Sequence, residues 1–344
     1  MKQKALFKVQ AGPGAEYLET DIPKPGDNEL LVEIKAAAIC GTDVHIFDWT
    51  PYAQARIKPP MIFGHEFCGE VKEVGGGNGL FKSGDLIAGE THIPCGICYQ
   101  CRTGNQHICE KMSILGVHCQ GVFSKYAVIP QICAWKLPPG TDPGIGCIYE
   151  PFGVAGHGLF LSPTVGNTAA VFGCGPIGLF GIGILKAGGA SQIFSVEPNG
   201  YRLGMAKEMG STHLINPLET DVKSAIDGAT KGMGVDIFVD FSGDPEAIKK
   251  GFSVLRKGGN AILIGLPSQP IALDLPNDII YKEAKVLGYT GRHMFETWYK
   301  TSRLIEGGLV DVTKIITHKF QMAEYTKAFS LIRSGKCGKV ILIP

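Results

Sequence analysis

Residues Ala169-Ala170-Val171-Phe172-Gly173-Cys174-Gly175-Pro176-Ile177-Gly178 join an apolar strand pattern to a G-x-G-x-x-G motif, and a helical pattern follows through Leu179–Lys186. A glycine turn between a strand and a helix lets bare backbone approach a pyrophosphate at the helix N-terminus. A glycine-rich structural turn is the alternative, because 47 of the 344 residues are Gly. The flanking strand and helix favour a dinucleotide site formed by Gly173, Gly175, Ile177 and Gly178.

Glu197 ends the next apolar strand pattern, nineteen residues after Gly178. We expect its carboxylate to accept hydrogen bonds from an adenosine ribose and to repel a 2′-phosphate. This position predicts NAD, and not NADP, as the cofactor. Arg202 is expected to flank the adenosine, with a solvated helix charge as the alternative.

The pattern around this motif predicts an α/β fold with a doubly wound parallel sheet. Predicted strands are Thr168–Gly173, Gln192–Glu197, Val235–Phe241, Ala261–Leu266 and Lys285–Tyr289, and helices such as Tyr201–Met209 and Pro245–Leu255 separate them. The first third of the chain is expected to be β-rich, with strands at Leu30–Ile39, Gly69–Val74 and Asp85–Ala88. Beyond Gly291, a helix at Met294–Ile305, a run at Ile315–Phe320, a helix at Ala323–Arg333 and a strand at Lys339–Ile343 no longer alternate regularly. We therefore expect a discontinuous first domain, residues 1–152 and 293–344, and a nucleotide-binding domain, residues 153–292.

The composition is that of a globular protein, with 44% hydrophobic and 19% charged residues. Lys and Arg total 33 against 32 Asp and Glu, so no global field favours nucleic acid or an anionic membrane. A small-molecule substrate is the better hypothesis. The N-terminal residues lack a signal-peptide pattern, which predicts a cytoplasmic protein. Eleven cysteines in a reducing compartment favour metal thiolates over disulfides.

Four cysteines share one predicted loop. Cys95, Cys98 and Cys101 follow a C-x-x-C-x-x-C spacing, and Cys109 comes eight residues later. A closed tetrahedral shell of four thiolates leaves no position for water, so the implied zinc is structural. The alternatives are disulfides or an iron–sulfur cluster, and the latter would need a redox partner for which nothing else argues.

A second, dispersed set offers a thiolate, an imidazole and carboxylates. Cys40 precedes Gly-Thr-Asp-Val-His, His65 and Glu66 follow Gly64, and Glu150 precedes Pro151. Each residue alone is more often structural. Together they suit an open catalytic zinc site, which beside a nicotinamide cofactor suggests a Lewis acid for alcohol oxidation.

These motifs together resemble the zinc-dependent medium-chain dehydrogenases, and the resemblance covers essentially the whole chain. Gly89–Ile93, Gly291–Lys300 and Ile316–Phe320 resemble the threonine-oxidising branch of that family. The resemblance implies a GroES-like catalytic domain, a Rossmann domain, a homotetramer and NAD-dependent oxidation of L-threonine to 2-amino-3-oxobutanoate.

The resemblance also implies roles for individual residues. Cys40, His65 and Glu66 match the catalytic zinc ligands, Glu150 matches their acidic neighbour, and Thr42 and His45 match a proton-relay pair. Residues expected to hold NAD are Ile177, Glu197, Arg202, Ile264, Gly265, Leu266, Tyr289 and Thr290. For His45 alone, a helix histidine satisfied by its surroundings is the alternative.

Charge counting gives an expectation for Glu150. Zinc is expected to lower the pKa of the substrate hydroxyl before hydride leaves for the nicotinamide. Cys40 and Glu66 already offset the two charges of the ion, so Glu150 is expected to leave the metal or to take a proton. Thr42 is expected to pass the hydroxyl proton through the cofactor ribose to His45.

Val154 departs from the asparagine expected in the threonine-oxidising branch. Oxidation of another vicinal hydroxyl compound, a polyol or a sugar acid, by the same zinc and NAD machinery is therefore an alternative. A catalytically inactive NAD-binding protein is a second alternative, because fold does not fix function. The complete set of Cys40, Thr42, His65 and Glu66 argues against it.

Overall fold

The computed structural model describes residues 1–77 and 79–344, which divide into two compact units. The first unit comprises Met1–Pro151, Ile316–Ser334 and Lys339–Pro344. The second comprises Phe152–Ile315 and Gly335–Gly338.

The first unit is rich in β-structure. Its strands are β1 (Lys2–Lys8), β2 (Glu16–Asp21), β3 (Glu29–Ala38), β4 (Met61–Ile62), β5 (Glu66–Val74), β6 (Leu86–Gly89), β7 (His92–Ile93), β8 (Ser113–Ile114), β9 (Tyr126–Pro130), β10 (Ala134–Lys136), β17 (Ile316–Gln321) and β18 (Lys339–Ile343). Its helices are α1 (Gly41–Asp48), α2 (Pro51–Gln54), α3 (Tyr99–Arg102), α4 (Pro143–Gly146) and α11 (Tyr325–Arg333). Helix α5 (Tyr149–Leu159) begins in the first unit and continues into the second.

A seven-stranded sheet organises the first unit, with the order β10-β6-β5-β3-β18-β17 and with β9 also paired to β3. Alternate residues of β3, including Leu30, Val32 and Ile34, are buried, as expected for a strand with one face on a core. Strand β3 is antiparallel to both β5 and β18. Residues from opposite ends of the chain therefore meet at one edge of this sheet.

The second unit alternates strands with helices. Its strands are β11 (Thr168–Phe172), β12 (Gln192–Val196), β13 (His213–Ile215), β14 (Val235–Asp240), β15 (Leu255–Leu263) and β16 (Lys285–Gly288). Its helices are α6 (Pro176–Ala187), α7 (Gly200–Met209), α8 (Val222–Thr230), α9 (Pro245–Val254) and α10 (Glu296–Glu306).

The six strands of the second unit form one parallel sheet with the order β13-β12-β11-β14-β15-β16. This is the strand order of a Rossmann fold, and it confirms the predicted doubly wound sheet. Phe172, Phe238 and Phe252 form its aromatic centre, with ring centroids 5.2 and 5.6 Å apart in edge-to-face pairs. Across the described ranges, no helix has both the length and the apolar character needed to cross a membrane.

The second domain extends further along the chain than its predicted end at residue 292. Residues 293–315 lie in the second unit, although the sequence analysis assigned them to the first domain. The physical reason is packing: Val310 is buried against Gly183 of α6, and the turn Val312–Ile315 contacts α6 and α7.

The glycine turn between β11 and α6 allows a test of how closely the strand and the helix pack against each other. Gly173 has a positive φ of 88°, and a Cβ on Gly178 would overlap the Gly173 carbonyl oxygen. Gly175 has a φ of −65° and open space around it. Gly178→Ala should therefore reduce the free energy of unfolding by about 1–3 kcal/mol, because the helix must shift away from the strand.

Gly175→Ala is the matched control and should stay within about 0.5 kcal/mol of the parent protein. Chemical denaturation of both variants without ligand provides the comparison. Equal stabilities for the two variants would contradict the close helix–strand packing.

Candidate active site and metal centres

Three neighbouring strands bring the candidate catalytic donors together. Strand β5 begins at Glu66, which pairs with Ala38 near the end of β3, and Cys40 follows β3 directly. Strand β18 begins at Lys339 and is held beside β3 by the bond from the Ile39 N–H to the Val340 carbonyl, 3.0 Å long. His65 directly precedes β5, so it lies at the same ends of these three strands as Cys40, Glu66 and Lys339.

The predicted ligands Cys40, His65 and Glu66 offer donor atoms within 4.8 Å of one another. His65 is 5% exposed and Glu66 is fully buried. A thiolate, an imidazole and a carboxylate are ligands of zinc. The donor set thus fits a zinc ion that keeps an open coordination position.

Asp43 explains the orientation of His65. Its Oδ2 accepts a hydrogen bond from the Cys40 N–H at 2.8 Å, and its Oδ1 lies 3.6 Å from His65 Nδ1. Both Oδ1 and Nδ1 are buried without a hydrogen-bond partner within the described residues. Since Nδ1 faces Asp43, Nε2 is the nitrogen left for a metal, an arrangement common among metal-binding histidines.

Charges at this cluster are strongly coupled. Burial alone disfavours the His65 imidazolium, but the charges of Asp43 and Cys40 outweigh it and raise the pKa of His65 to about 10. Because a metal binds neutral imidazole, a cation at this position replaces a proton. The site thus attracts positive charge before any ion arrives.

Lys339 also belongs to this cluster, although no motif in the sequence indicates it. Its Nζ donates to both carboxylate oxygens of Glu66 at 2.5 Å, and to the Ile39 carbonyl at 3.3 Å. Burial raises the pKa of Glu66, and the Lys339 ammonium opposes that rise. Lys339 adds a positive charge that the sequence-based charge count omitted.

Glu150 lies on the first turn of α5 and is buried. Its Oε1 accepts a hydrogen bond of 3.3 Å from Thr91 Oγ1, another residue that the sequence did not reveal. Glu150 is outside the donor set of the preceding cluster, although its charge acts on His65, Glu66 and Asp43. It is therefore a neighbouring acid in this conformation.

Thr42 and His45 share one face of α1, three residues apart. Thr42 hydrogen-bonds to Tyr52, whose ring centroid lies 5.5 Å from the His45 ring. His45 is exposed, and its Nδ1 is 3.1 Å from Thr50 Oγ1. The pair thus leads from the half-buried Thr42 to the surface, with Tyr52 beside both.

The four cysteines of the predicted structural site converge. Sγ atoms of Cys95, Cys98, Cys101 and Cys109 all lie within 4.8 Å of one another. The Cys98 Sγ is 3.5 Å from Cys101 Sγ and 3.8 Å from Cys109 Sγ. Four sulfurs around one zinc ion at about 2.3 Å are separated by about 3.8 Å. The spacing fits a single ion.

The remaining interpretations of this loop do not fit. All eleven cysteines are free thiols, which excludes the disulfide alternative for these thiols, and the compact sulfur set is too small for a cluster of several irons. Backbone N–H groups of Cys101 and Glu110 lower the pKa of the Cys98 thiol to about 6. Backbone N–H groups also lower the pKa of Cys95, whereas burial raises the pKa of Cys101, so the thiolate form that zinc requires is favoured at Cys95 and Cys98.

The candidate nucleotide site lies at the carboxyl ends of β11 and β12. Glu197 is 4% exposed, and its Oε2 accepts a 2.8 Å hydrogen bond from the Cys174 N–H in the glycine turn. Its Oε1 accepts from the Asn199 N–H at 3.0 Å. Glu197 is thus held rigidly against the turn, with lone pairs left for ribose hydroxyls.

A cavity of about 500 Å³ opens beside this carboxylate. Gly173, Gly175, Glu197 and Arg202 line it, as do Ser242 and Lys250. A larger cavity of about 660 Å³ lies at the amino ends of β14 and β15. Open parallel sheets bind ligands at their carboxyl ends, so the smaller cavity is the candidate nucleotide site.

The other predicted cofactor residues follow neighbouring strands at the same edge but lie outside that cavity lining. Ile264 and Gly265 donate to the Asp240 carbonyl at 3.1 and 3.0 Å, and Leu266 is exposed. The backbone N–H of Tyr289, which precedes Thr290, donates to the Leu263 carbonyl at 3.0 Å. Ile177 and Gly178 open α6. The sheet therefore gathers these residues along one edge.

A substitution in the four-cysteine loop should lower the stability of the protein more than it changes the chemistry of the active site. Cys98→Ser should remove about one zinc per chain and lower the free energy of unfolding by about 4 kcal/mol or more, because metal binding is coupled to folding. Elemental analysis and thermal melting provide the measurements.

Cys119→Ser is the matched control, since Cys119 is a half-buried free thiol outside both donor sets. It should keep the zinc content and melting temperature of the parent. A Cys98→Ser protein with unchanged zinc content and melting would reject a structural metal at this loop.

Two family models match the chain. Residues 26–139 match the alcohol dehydrogenase GroES-like domain, and residues 176–307 match the zinc-binding dehydrogenase domain. The matched ranges contain Cys40, His65, Glu66 and the four-cysteine loop in the first model, and Glu197 in the second.

Individual proteins agree with these models. The L-threonine 3-dehydrogenase of Caldanaerobacter subterraneus subsp. tengcongensis is 45% identical over 99% of this chain and 98% of its own length. A zinc-binding dehydrogenase from Sinorhizobium meliloti, bound to NADP, superposes with a TM-score of 0.93 at 29% identity over 100% of both chains. A protein from Escherichia coli CFT073, described as a short chain alcohol dehydrogenase and complexed with NADH, gives a TM-score of 0.90 at 29% identity over 100% of this chain and 99% of its own. The chain therefore belongs to the zinc-binding medium-chain alcohol dehydrogenases.

Proposed function

We propose that this enzyme oxidises L-threonine at its hydroxyl carbon to 2-amino-3-oxobutanoate, with NAD as the hydride acceptor. The observation that carries the proposal is the donor set of half-buried Cys40 with buried His65 and Glu66, in a chain 45% identical to an L-threonine 3-dehydrogenase. A zinc ion at this set would act as a Lewis acid toward the substrate hydroxyl, and NAD would accept the hydride.

Each metal site would be held by its own residues. Cys40, His65 and Glu66 would hold the catalytic ion, while the Asp43 carboxylate lies 3.6 Å from His65 Nδ1 and leaves Nε2 for the metal. The ion of the four-cysteine loop would support folding only, because four thiolates complete its shell. One catalytic and one structural zinc per chain follow from this division.

Thr42 and His45 are proposed to carry the substrate proton to solvent. Thr42 has a hydroxyl that both donates and accepts, so it can relay a proton without holding charge. His45 is exposed at the surface end of this pair, so a proton that reaches its imidazole can pass to water. Tyr52 orients the Thr42 hydroxyl through their hydrogen bond.

Glu150 is proposed as an acid–base group and as an occasional metal ligand. Its carboxylate is buried and bonded to Thr91, and it adds negative charge to a cluster that already contains Cys40, Asp43 and Glu66. Its charge acts on His65 and Glu66, so it lies close enough to the metal site to exchange a proton with the substrate during turnover.

NAD is proposed as the cofactor, and the position of the Glu197 carboxylate beside the glycine turn and the cavity supports this proposal. The carboxylate is buried beside the cavity and cannot turn away without breaking bonds to Cys174 and Asn199. A 2′-phosphate would approach this fixed negative charge. Residues Gly173, Gly175, Ile177 and Gly178 would face the pyrophosphate, and Arg202 the adenosine.

Assembly and location complete the proposal. We propose a homotetramer in the cytoplasm that binds neither nucleic acid nor membrane. The balanced charge of 33 basic and 32 acidic residues supports the absence of those partners.

Cofactor choice should depend on Glu197. Glu197→Ala should lower the preference for NAD over NADP by about tenfold or more in kcat/KM, because repulsion of the phosphate disappears. Glu246→Ala is the matched control: Glu246 is an exposed acid lining the same cavity, and its removal should leave the preference unchanged. Equal use of both cofactors by the parent enzyme would reject this role.

The substrate proposal is tested by a panel monitored through NADH absorbance. L-Threonine should give the highest kcat/KM, with 2-amino-3-oxobutanoate as product. Cys40→Ala should lower kcat by about 10³-fold or more. Val154, one turn beyond Glu150 on α5, offers no polar group. A higher kcat/KM with a polyol or a sugar acid than with L-threonine would assign the enzyme to that substrate class instead. Absence of turnover with every alcohol, in zinc-loaded protein, would support an inactive NAD-binding protein.

A further inference from the structure

Lys339 is a buried lysine at the start of β18, 3% exposed and far in sequence from the residues it contacts. An ammonium has three N–H donors. Lys339 Nζ donates to both oxygens of the Glu66 carboxylate, at 2.5 Å each, and to the Ile39 carbonyl at 3.3 Å. Its position is fixed by these three acceptors.

The lysine remains charged in this environment. All three N–H groups of the ammonium are taken up by the Glu66 carboxylate and the Ile39 carbonyl, and these acceptors favour the charged form. Buried pairs of this kind often contribute little to stability, because desolvation offsets their attraction. The main effect of the Lys339 charge is therefore on the groups around it.

Lys339 changes the charge count at the metal site. A divalent ion with the Cys40 thiolate and the Glu66 carboxylate sums to zero, and Lys339 brings the sum to plus one. Adding ionised Glu150 returns the sum to zero, whereas without Lys339 it would be minus one. Asp43, if ionised behind His65, lowers every sum equally.

We propose that Lys339 is a positioning residue of the catalytic metal site, which holds both oxygens of Glu66 and keeps the metal electron-withdrawing by offsetting the Glu66 charge. The inference rests on the proposed function of this site. It also explains how Glu66 and Glu150 can both stand near one ion without making it a poor electrophile.

Zinc affinity and the pH dependence of kcat distinguish an electrostatic role of Lys339 from a packing role. Removing the ammonium should make the site more negative, so that zinc binds more tightly. The same change should stabilise the deprotonated substrate oxygen less, so that turnover requires a higher pH. Loss of packing alone would weaken zinc binding and leave the pH dependence of kcat unchanged.

The test compares Lys339→Gln, which keeps an N–H donor and removes the charge, with Lys339→Arg, which keeps the charge. Zinc affinity is measured by competition with a chelator, and the midpoint of the kcat–pH curve is measured with the preferred alcohol. Lys339→Gln should bind zinc at least about tenfold more tightly and raise the midpoint by about one pH unit. Lys339→Arg should stay within about threefold and about 0.3 unit of the parent.

Lys8→Gln is the matched control. Lys8 is also a buried lysine of the first unit, but its Nζ donates to backbone carbonyls of Gly12, Gly14 and Phe47. Its loss should change neither zinc affinity nor the pH midpoint, whatever it does to stability.

Weaker zinc binding in folded Lys339→Gln, with an unchanged midpoint, would overturn the proposal. If the Gln protein does not fold, Lys339→Arg decides: a midpoint displaced by about one unit despite the retained charge would overturn it, and an unmoved midpoint with parental zinc affinity would support it. If no alcohol is turned over, the proposed function fails separately, and chelator competition alone decides the charge role.

Discussion

The pairing of β3 with both β5 and β18 is the constraint on which the catalytic cluster depends. Register places Glu66 beside Ala38, and the ladder to β18 brings Lys339 to the same edge. Hydrogen-bonded strands lie about 4.8 Å apart, so residues that begin or end adjacent strands are in reach of one another. Cys40 follows this edge and directly precedes α1, whose Asp43 then faces His65.

The second unit uses a different constraint, the close contact between Gly178 and Gly173 at the start of α6. This contact exposes backbone N–H groups at a helix N-terminus, where anions bind. Glu197 ties the following strand to the same turn through its bond to the Cys174 N–H. In the proposed NAD site, the groups that would bind phosphate and ribose are therefore held by one small set of backbone atoms.

Local patterns were sufficient for much of this architecture. The alternation of apolar strands and helices predicted the parallel sheet, and Lys339–Ile343 is a strand with the predicted bounds. The short spacing of Cys95, Cys98 and Cys101 predicted a metal loop because loop geometry alone brings such residues together. Strand β15 begins at Leu255, six residues before the prediction, since its first residues include charged and glycine positions that hide the pattern.

Features that depend on long-range contacts were not predictable in the same way. Lys339 and Glu66 are 273 residues apart, and neither carries a local signal of the other. Residues 293–315 have amphipathic character, but their sequence does not state which unit covers the apolar face; the contact of Val310 with Gly183 decides it. Thr91 and Tyr52 became visible only beside Glu150 and Thr42.

Anomalous diffraction at the zinc absorption edge, on crystals of the active enzyme, tests the two-metal account most directly. The account predicts two peaks per chain, one among the sulfurs of Cys95, Cys98, Cys101 and Cys109, and one about 2.0–2.3 Å from Cys40 Sγ and His65 Nε2. A fully active crystal form with no peak beside Cys40 and His65 would contradict the central claim that these residues hold the catalytic metal.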